Sequence, residues 1–172
     1  MGPPPVFFVS GAFGTGKTTL APLVAMRLRE CFVMDVDWLL KPLSRLSSRE
    51  LHIDSGPEGA LQDVWVAVAG IAAVGGRSTV IFSPCEPREL EGIPSLKYVG
   101  ESHWLLLDCA DDIIRARLSE RRRWLANWTD ESVVDAARMR GLGLPMLRTD
   151  LEPPEETADR IVAWVRELLT SA

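Results

Sequence analysis

Apolar residues in this chain fall into two kinds of pattern. Short unbroken runs occur at Val6-Phe7-Phe8-Val9, Phe32-Val33-Met34, Thr79-Val80-Ile81-Phe82, His103-Trp104-Leu105-Leu106-Leu107 and Pro145-Met146-Leu147-Arg148. Runs of this length bounded by turn residues predict five strands. Between them apolar positions recur every three or four residues, as in Leu20, Leu23, Val24 and Leu28, which predicts a helix over 17–30. The same reasoning predicts a short helix over 38–43 broken near Pro42, and a buried helix over 60–74 stopped by Gly75-Gly76. Asp111 or Asp112 is expected to cap a helix reaching Arg122, and Thr129 to start one that ends at Gly141. A closing amphipathic helix is expected over 154–169, with Glu155 and Glu156 at its positive end. Alternating strands and helices predict an α/β fold with a parallel sheet covered on both faces. Two polar stretches interrupt the alternation: 44–59, an excursion over the site, and 84–100, mostly loop with one short helix over 88–91.

Composition narrows the function. With 172 residues and 47% apolar content, one α/β domain over 1–172 is expected. A net charge of −5 argues against a nucleic-acid partner. The longest apolar stretch, 64–74, is too short to span a bilayer, and no membrane partner is expected. The start Met-Gly-Pro-Pro-Pro has neither a basic segment nor a signal-length apolar one, and Val6 breaks the myristoylation pattern. Cys31, Cys85 and Cys109 are odd in number and widely spaced, which suggests neither disulfides nor zinc. A cytoplasmic setting is the expectation.

The stretch Gly11-Ala12-Phe13-Gly14-Thr15-Gly16-Lys17-Thr18 fits a Walker A pattern, and it lies where such a motif must lie, between a strand and a helix. Glycines let backbone N–H groups converge on phosphates, Lys17 reaches the terminal phosphates, and the Thr18 hydroxyl can ligate Mg²⁺. Phe13, Thr15 and Thr19 belong to the same nucleotide-binding segment. ATP and Mg²⁺ are therefore the expected cofactors. The chain has no Asn-Lys-x-Asp segment, so a regulatory GTPase is excluded. The third strand ends in Ser83-Pro84 rather than an acid, unlike the large motor ATPases.

Two further features point to phosphoryl transfer. Asp35-Val36-Asp37 closes the second strand, at the edge where open α/β sheets bind ligands. One carboxylate can hold Mg²⁺, and the other can accept the proton of an attacking hydroxyl. We assign Asp35 to the metal and Asp37 to catalysis on the acceptor side; a helix cap is the lesser alternative for Asp37. Arg115, Arg117, Arg121, Arg122 and Arg123 fall within nine residues. Guanidinium groups there suit a lid over the phosphates, with Arg121 catalytic, or a solvated basic helix end. Trp38 can stack on an acceptor ring or join the core. His52 reads as a surface residue, His103 as structural and Cys85 as an inert small residue. Met26, Met34, Met139 and Met146 stand at core spacings.

Taken together, the P-loop, Asp35-x-Asp37, Leu105-Leu106-Leu107-Asp108-Cys109 with Arg117 and Arg121, and Thr149-Asp150 before the last helix resemble the nucleoside/nucleotide kinase-like branch of P-loop kinases. Shikimate, gluconate and adenylylsulfate kinases and chloramphenicol phosphotransferase are similar relatives. The resemblance implies a three-layer P-loop NTPase fold, a five-stranded parallel sheet in order 2-3-1-4-5, and a helical lid near 121–137. It implies Arg117 and Arg121 near the donor phosphates or adenine, and Arg138 facing a small-molecule acceptor. Thr149 and Leu151 would border the adenine. Adenylate kinase-like enzymes carry an acid after the third strand where this chain has Ser83-Pro84-Cys85-Glu86-Pro87-Arg88. Arg88 remains a candidate for an anionic acceptor. A kinase for a hydroxyl acceptor is the leading expectation. A nucleoside monophosphate kinase and a catalytically silent ATP-binding regulatory module are the alternatives.

Overall fold

In the computed structural model, the described residues are 2–48, 60–120 and 128–171. Five strands, β1 (Val6–Ser10), β2 (Phe32–Asp35), β3 (Thr79–Ser83), β4 (Ser102–Asp108) and β5 (Met146–Arg148), form one sheet in the order β2-β3-β1-β4-β5. All four neighbouring pairs are parallel. The expected fold class and strand order are both observed. The helices are α1 (Lys17–Arg27), α2 (Asp37–Ser47), α3 (Ala60–Val74), α4 (Asp111–Ser119), α5 (Thr129–Arg140) and α6 (Pro154–Ser171).

Alternation along β1 explains the layers. Phe7 and Val9 point to one face and pack with Leu20 and Val24 of α1 and Ile161 and Val165 of α6. Val6 and Phe8 point to the other and pack with Trp65, Val66 and Ala69 of α3. Every β1 residue is buried, as its uninterrupted apolar run requires. Leu106 of β4 meets Ile114 and Leu118 of α4 and Met139 of α5 in a third cluster. Parallel strands bring all their carboxyl ends to one rim. Ser10, Asp35, Ser83, Asp108 and Arg148 end the five strands there, so the rim is polar above an apolar sheet.

Several boundaries differ from expectation. Helix α1 stops at Arg27, where Leu28 leaves helical geometry and its N–H closes on Val24. Helix α2 continues through Pro42 to Ser47. Proline there removes only the bond to the Trp38 carbonyl, and none of the helix's residues is buried, so water can satisfy that group. Ala110 rather than an aspartate is the N-cap of α4, and its N–H donates to Asp150 Oδ2 at 3.0 Å. The 84–100 stretch holds two 3₁₀ turns, Pro87–Leu90 and Pro94–Tyr98. The second packs on α3 at Gly70, where an added Cβ would lie 2.8 Å from that of Tyr98. Met34 and Met139 are buried, but Met26 and Met146 are exposed, on the outer face of α1 and at the start of the edge strand β5. His103 stacks on Phe7 with ring centroids 5.2 Å apart, a structural role as expected. Cys85 is buried, and burial pushes its thiol up to about 12, so it stays protonated and inert. His52, Arg121, Arg122, Arg123 and much of the expected lid lie outside the described residues.

Candidate functional site

The loop between β1 and α1 wraps tightly because its glycines allow it. Gly14 and Gly16 take positive φ values of 86° and 99°. At Gly11 an added Cβ would lie 2.6 Å from both the Leu107 carbonyl oxygen and Thr15 Oγ1. Thr15 is buried and its hydroxyl donates to the Ala12 carbonyl at 2.8 Å, so its side chain serves the loop itself. Lys17 Nζ donates to the carbonyls of Gly11 at 2.6 Å and Ala12 at 2.9 Å, and lies 5.6 Å from the Phe13 ring centroid.

Facing this loop is the end of β2. Phe13, Gly14, Gly16, Lys17, Thr18, Asp35, Val36, Asp37 and Pro84 line a narrow cleft of about 30 Å³. The acid pair and Lys17 therefore share one side of the sheet. Asp35 is 2% exposed. Its Oδ1 accepts the Asp37 N–H at 3.0 Å, while Oδ2 is buried with no hydrogen bond of good geometry among the described residues. Burial pushes the Asp35 carboxyl above the ordinary carboxylate range, with the bond from the Asp37 amide opposing it and the Asp37 charge adding to it. The Lys17 charge and the Thr18 hydroxyl also oppose the rise. Asp37 is exposed, in the first turn of α2.

On the other side of the loop is a wider cavity of about 420 Å³, lined by Gly14, Gly16, Thr19, Leu20, Arg117, Glu120, Thr149, Pro154 and Thr157. Arg117 braces its wall. Its Nη1 donates to the Gly14 carbonyl at 3.2 Å and to Thr149 Oγ1 at 3.1 Å, and its Nη2 to the Thr149 carbonyl at 3.0 Å. One side chain thus ties the P-loop to the loop after β5. Leu151 is 75% exposed and borders neither space, and Trp38 stands at 44% exposure on α2 away from the core.

Arg88 and Arg138 meet through a residue that motif reasoning passed over. Glu86 is 1% exposed and pairs with both. The acid of the adenylate kinase-like pattern is still absent at its own position, where this chain has Pro84; Glu86, next to Pro87-Arg88, is a different carboxylate, and it is taken up by the two arginines. A second unannounced contact is Arg140, whose guanidinium bridges Asp108 at 2.9 Å and Asp111 at 2.8 Å. The hydrogen bonds it donates to Asp108 and Asp111 hold that guanidinium firmly in its charged form. Arg148 likewise holds the Asp150 carboxyl down to about 2. No local pattern flags such pairs, because their partners are distant in sequence or lie in loops.

No cluster of three or more His, Cys, Asp or Glu side chains suited to a metal is found among the described residues. No helix among them is long and apolar enough to cross a membrane. No family model matches the chain, and no curated protein does. Solved structures do. A sugar kinase from Janibacter sp. HTCC2649 superposes with a TM-score of 0.66 at 20% identity, over 95% of each chain. The tunicamycin resistance protein of Deinococcus radiodurans gives 0.67 at 16%, over 94% of this chain and 95% of that one. The Mycobacterium tuberculosis APS kinase CysC, in complex with AMPPNP and APS, gives 0.57 at 15%, over 96% and 99%. At such identities the likeness is one of fold, and the fold is that of the P-loop kinases.

Proposed function

We propose that this protein is an ATP-dependent phosphotransferase that moves the γ-phosphate of ATP to a hydroxyl of a small molecule. The observation that carries the reading is the cleft in which Lys17, Thr18, Asp35 and Asp37 stand together at the carboxyl rim. The fold agrees with it, and a neighbour of the same fold, an APS kinase, is in complex with AMPPNP and APS.

In this reading the loop amides and the α1 N-terminus take the donor's phosphates. Lys17 gives up the Gly11 and Ala12 carbonyls to reach them. The wider cavity falls in the size range of small-molecule pockets and takes the nucleoside. Arg117 holds the cavity's shape by joining Gly14 to Thr149. Asp37, exposed at the mouth of the cleft, accepts or orients the acceptor's proton. Mg²⁺ fits the remaining groups, because Asp35 Oδ2 is buried with no hydrogen bond of good geometry and lies within reach of the Thr18 hydroxyl. When bound, it would offset the negative charge of the phosphates.

The test is a panel of nucleosides, sugars, sugar acids and hydroxylated natural products incubated with ATP and Mg²⁺. Acceptor-stimulated ADP, with a product heavier by one phosphate, is expected for at least one class. ATP binding with no stimulation by any of them would leave a nucleotide holder and end the phosphotransferase reading.

Asp35 yields a second expectation. Its folded pKa is raised, so it favours the folded state below the unfolded value near 3.8 and loses that contribution as pH rises through the folded value. At neutral pH its burial is a cost. Asp35→Asn should therefore melt higher than wild type at pH 7, by about 1 kcal/mol of stability. The gap should close towards pH 4, while Mg²⁺-dependent turnover falls. A variant less stable than wild type at pH 7 would refute the argument.

A further inference from the structure

Glu86 is nearly inaccessible, yet each of its carboxylate oxygens meets a guanidinium. Oε2 lies 3.0 Å from Arg88 Nε, and Oε1 pairs with Arg138. Arg138 Nη2 is also held by Asp135 Oδ1 at 3.0 Å. Glu89, whose Oε2 accepts the Glu86 N–H at 2.6 Å, adds a third carboxylate, so among the described residues the two guanidinium groups are at least matched by negative charge. The loop carrying Glu86 is fastened from below, where the Ser10 hydroxyl at the end of β1 donates to the Cys85 carbonyl. Arg138 comes from α5, which packs with α4 and Leu106 of β4. Strands β3 and β4 flank β1 on opposite sides. The Glu86–Arg138 pair therefore arches over the end of β1, where the P-loop begins. Pro84, two residues before Glu86, lines the cleft with Lys17, Asp35 and Asp37.

We infer that Glu86 determines the class of acceptor: by neutralising both guanidinium groups at this rim, it selects an uncharged hydroxyl compound over one that carries a carboxylate or phosphate. The word acceptor rests on the phosphotransferase reading, but the charge balance does not. An anion would have to draw Arg88 and Arg138 from a buried carboxylate and leave that carboxylate unpaired in a poorly solvated place. It would do so on the loop that carries Pro84 to the cleft of Asp35 and Asp37. A neutral molecule meets neither cost. The outer faces of the two guanidinium groups, whose side chains are 65% and 45% exposed, keep N–H groups to donate to hydroxyl or carbonyl oxygens. Glu86 acts through the two arginines, as a positioning residue.

The experiment is calorimetric titration of sodium sulfate into the protein loaded with AMPPNP and Mg²⁺, at constant ionic strength. Wild type is expected to show no saturable sulfate site below about 10 mM, a range in which a weakly held anion would register. Glu86→Gln is expected to gain a site at least tenfold tighter, and the further change Arg138→Ala to abolish it. Saturable sulfate binding by wild type that is lost in Arg88→Ala or Arg138→Ala would overturn the inference, since Glu86 would then only orient an anion site. Glu86→Gln binding sulfate no better than wild type would overturn it too. If Glu86→Gln does not fold, the wild-type comparison with the two arginine variants decides alone. Failure of AMPPNP to bind counts against the phosphotransferase reading instead; the titration then proceeds on unloaded protein, with Lys17→Ala removing any sulfate held by the P-loop. In the acceptor panel, transfer confined to carboxylate- or phosphate-bearing compounds overturns the inference. For paired neutral and anionic acceptors, Glu86→Gln should shift the kcat/KM ratio at least tenfold towards the anion, chiefly through KM.

Discussion

Asp37→Asn lowers turnover at saturating ATP by about 10²-fold or more, equivalent to about 2.7 kcal/mol of barrier, while ATP affinity stays near that of wild type. The two effects separate because of where Asp37 stands. Its carboxylate borders the cleft with Lys17 and Thr18 but lies on α2, outside the glycine loop and outside the wider cavity. Asparagine keeps the shape and the N–H that donates to Asp35 Oδ1, so the geometry of the β2 end survives. It removes the carboxylate that we propose takes the proton. Steady-state rates with the best acceptor of the panel, together with nucleotide titration of the same variant, check both halves. If Asp37 serves only as an acid at a helix start, the variant loses about 0.3–1 kcal/mol of stability and turnover does not change. That outcome would remove Asp37 from the chemistry.

The largest stability effect is expected at Arg140. Its guanidinium holds both Asp108 oxygens at 2.9 Å, Asp111 at 2.8 Å and the Cys109 carbonyl at 2.9 Å. Asp108 is 4% exposed at the end of β4. Arg140→Ala strands that carboxylate, and breaking a buried pair from one side costs about 3–5 kcal/mol. Because the arginine is partly exposed, the lower figure is the expectation, which corresponds to a fall in Tm of about 6–12 °C for a chain of this size. Urea unfolding of Arg140→Ala, Asp108→Asn and the double variant measures it. The double variant should recover part of the loss, since no charge is then left unpaired. A single variant that unfolds at the wild-type urea midpoint would show that water satisfies Asp108 once the arginine is gone.

The sequence was most legible where one local pattern serves one local need. The P-loop needs small residues and a lysine in order, and Val6–Ser10 needs apolar residues on both faces. Both could be read without the fold. The carboxyl rim followed, because parallel strands bring their last residues together, and this placed Asp35 and Asp37 beside Lys17. Pro42 misled the reading, since its cost is small on a helix with no buried residue. Glu86 was invisible for a different reason. In sequence it is an ordinary acid between Cys85 and Pro87, and only the approach of α5 gives it Arg138. Arg117 was singled out for its charge, but its visible bonds go to Gly14 and Thr149, a brace that depends on β5 standing beside β4. Long-range pairs of this kind have no period and no spacing to detect.

The central strand has one more consequence. Val6–Ser10 is synthesised well before its neighbours in the sheet, which begin at Thr79 and Ser102. At translation speeds of about 5–20 residues per second, several seconds pass before either partner exists outside the ribosome. During that time Val6-Phe7-Phe8-Val9 is a sticky, unpaired segment of nascent chain. The strand that later carries the glycine loop thus spends part of synthesis in need of the cover a chaperone supplies.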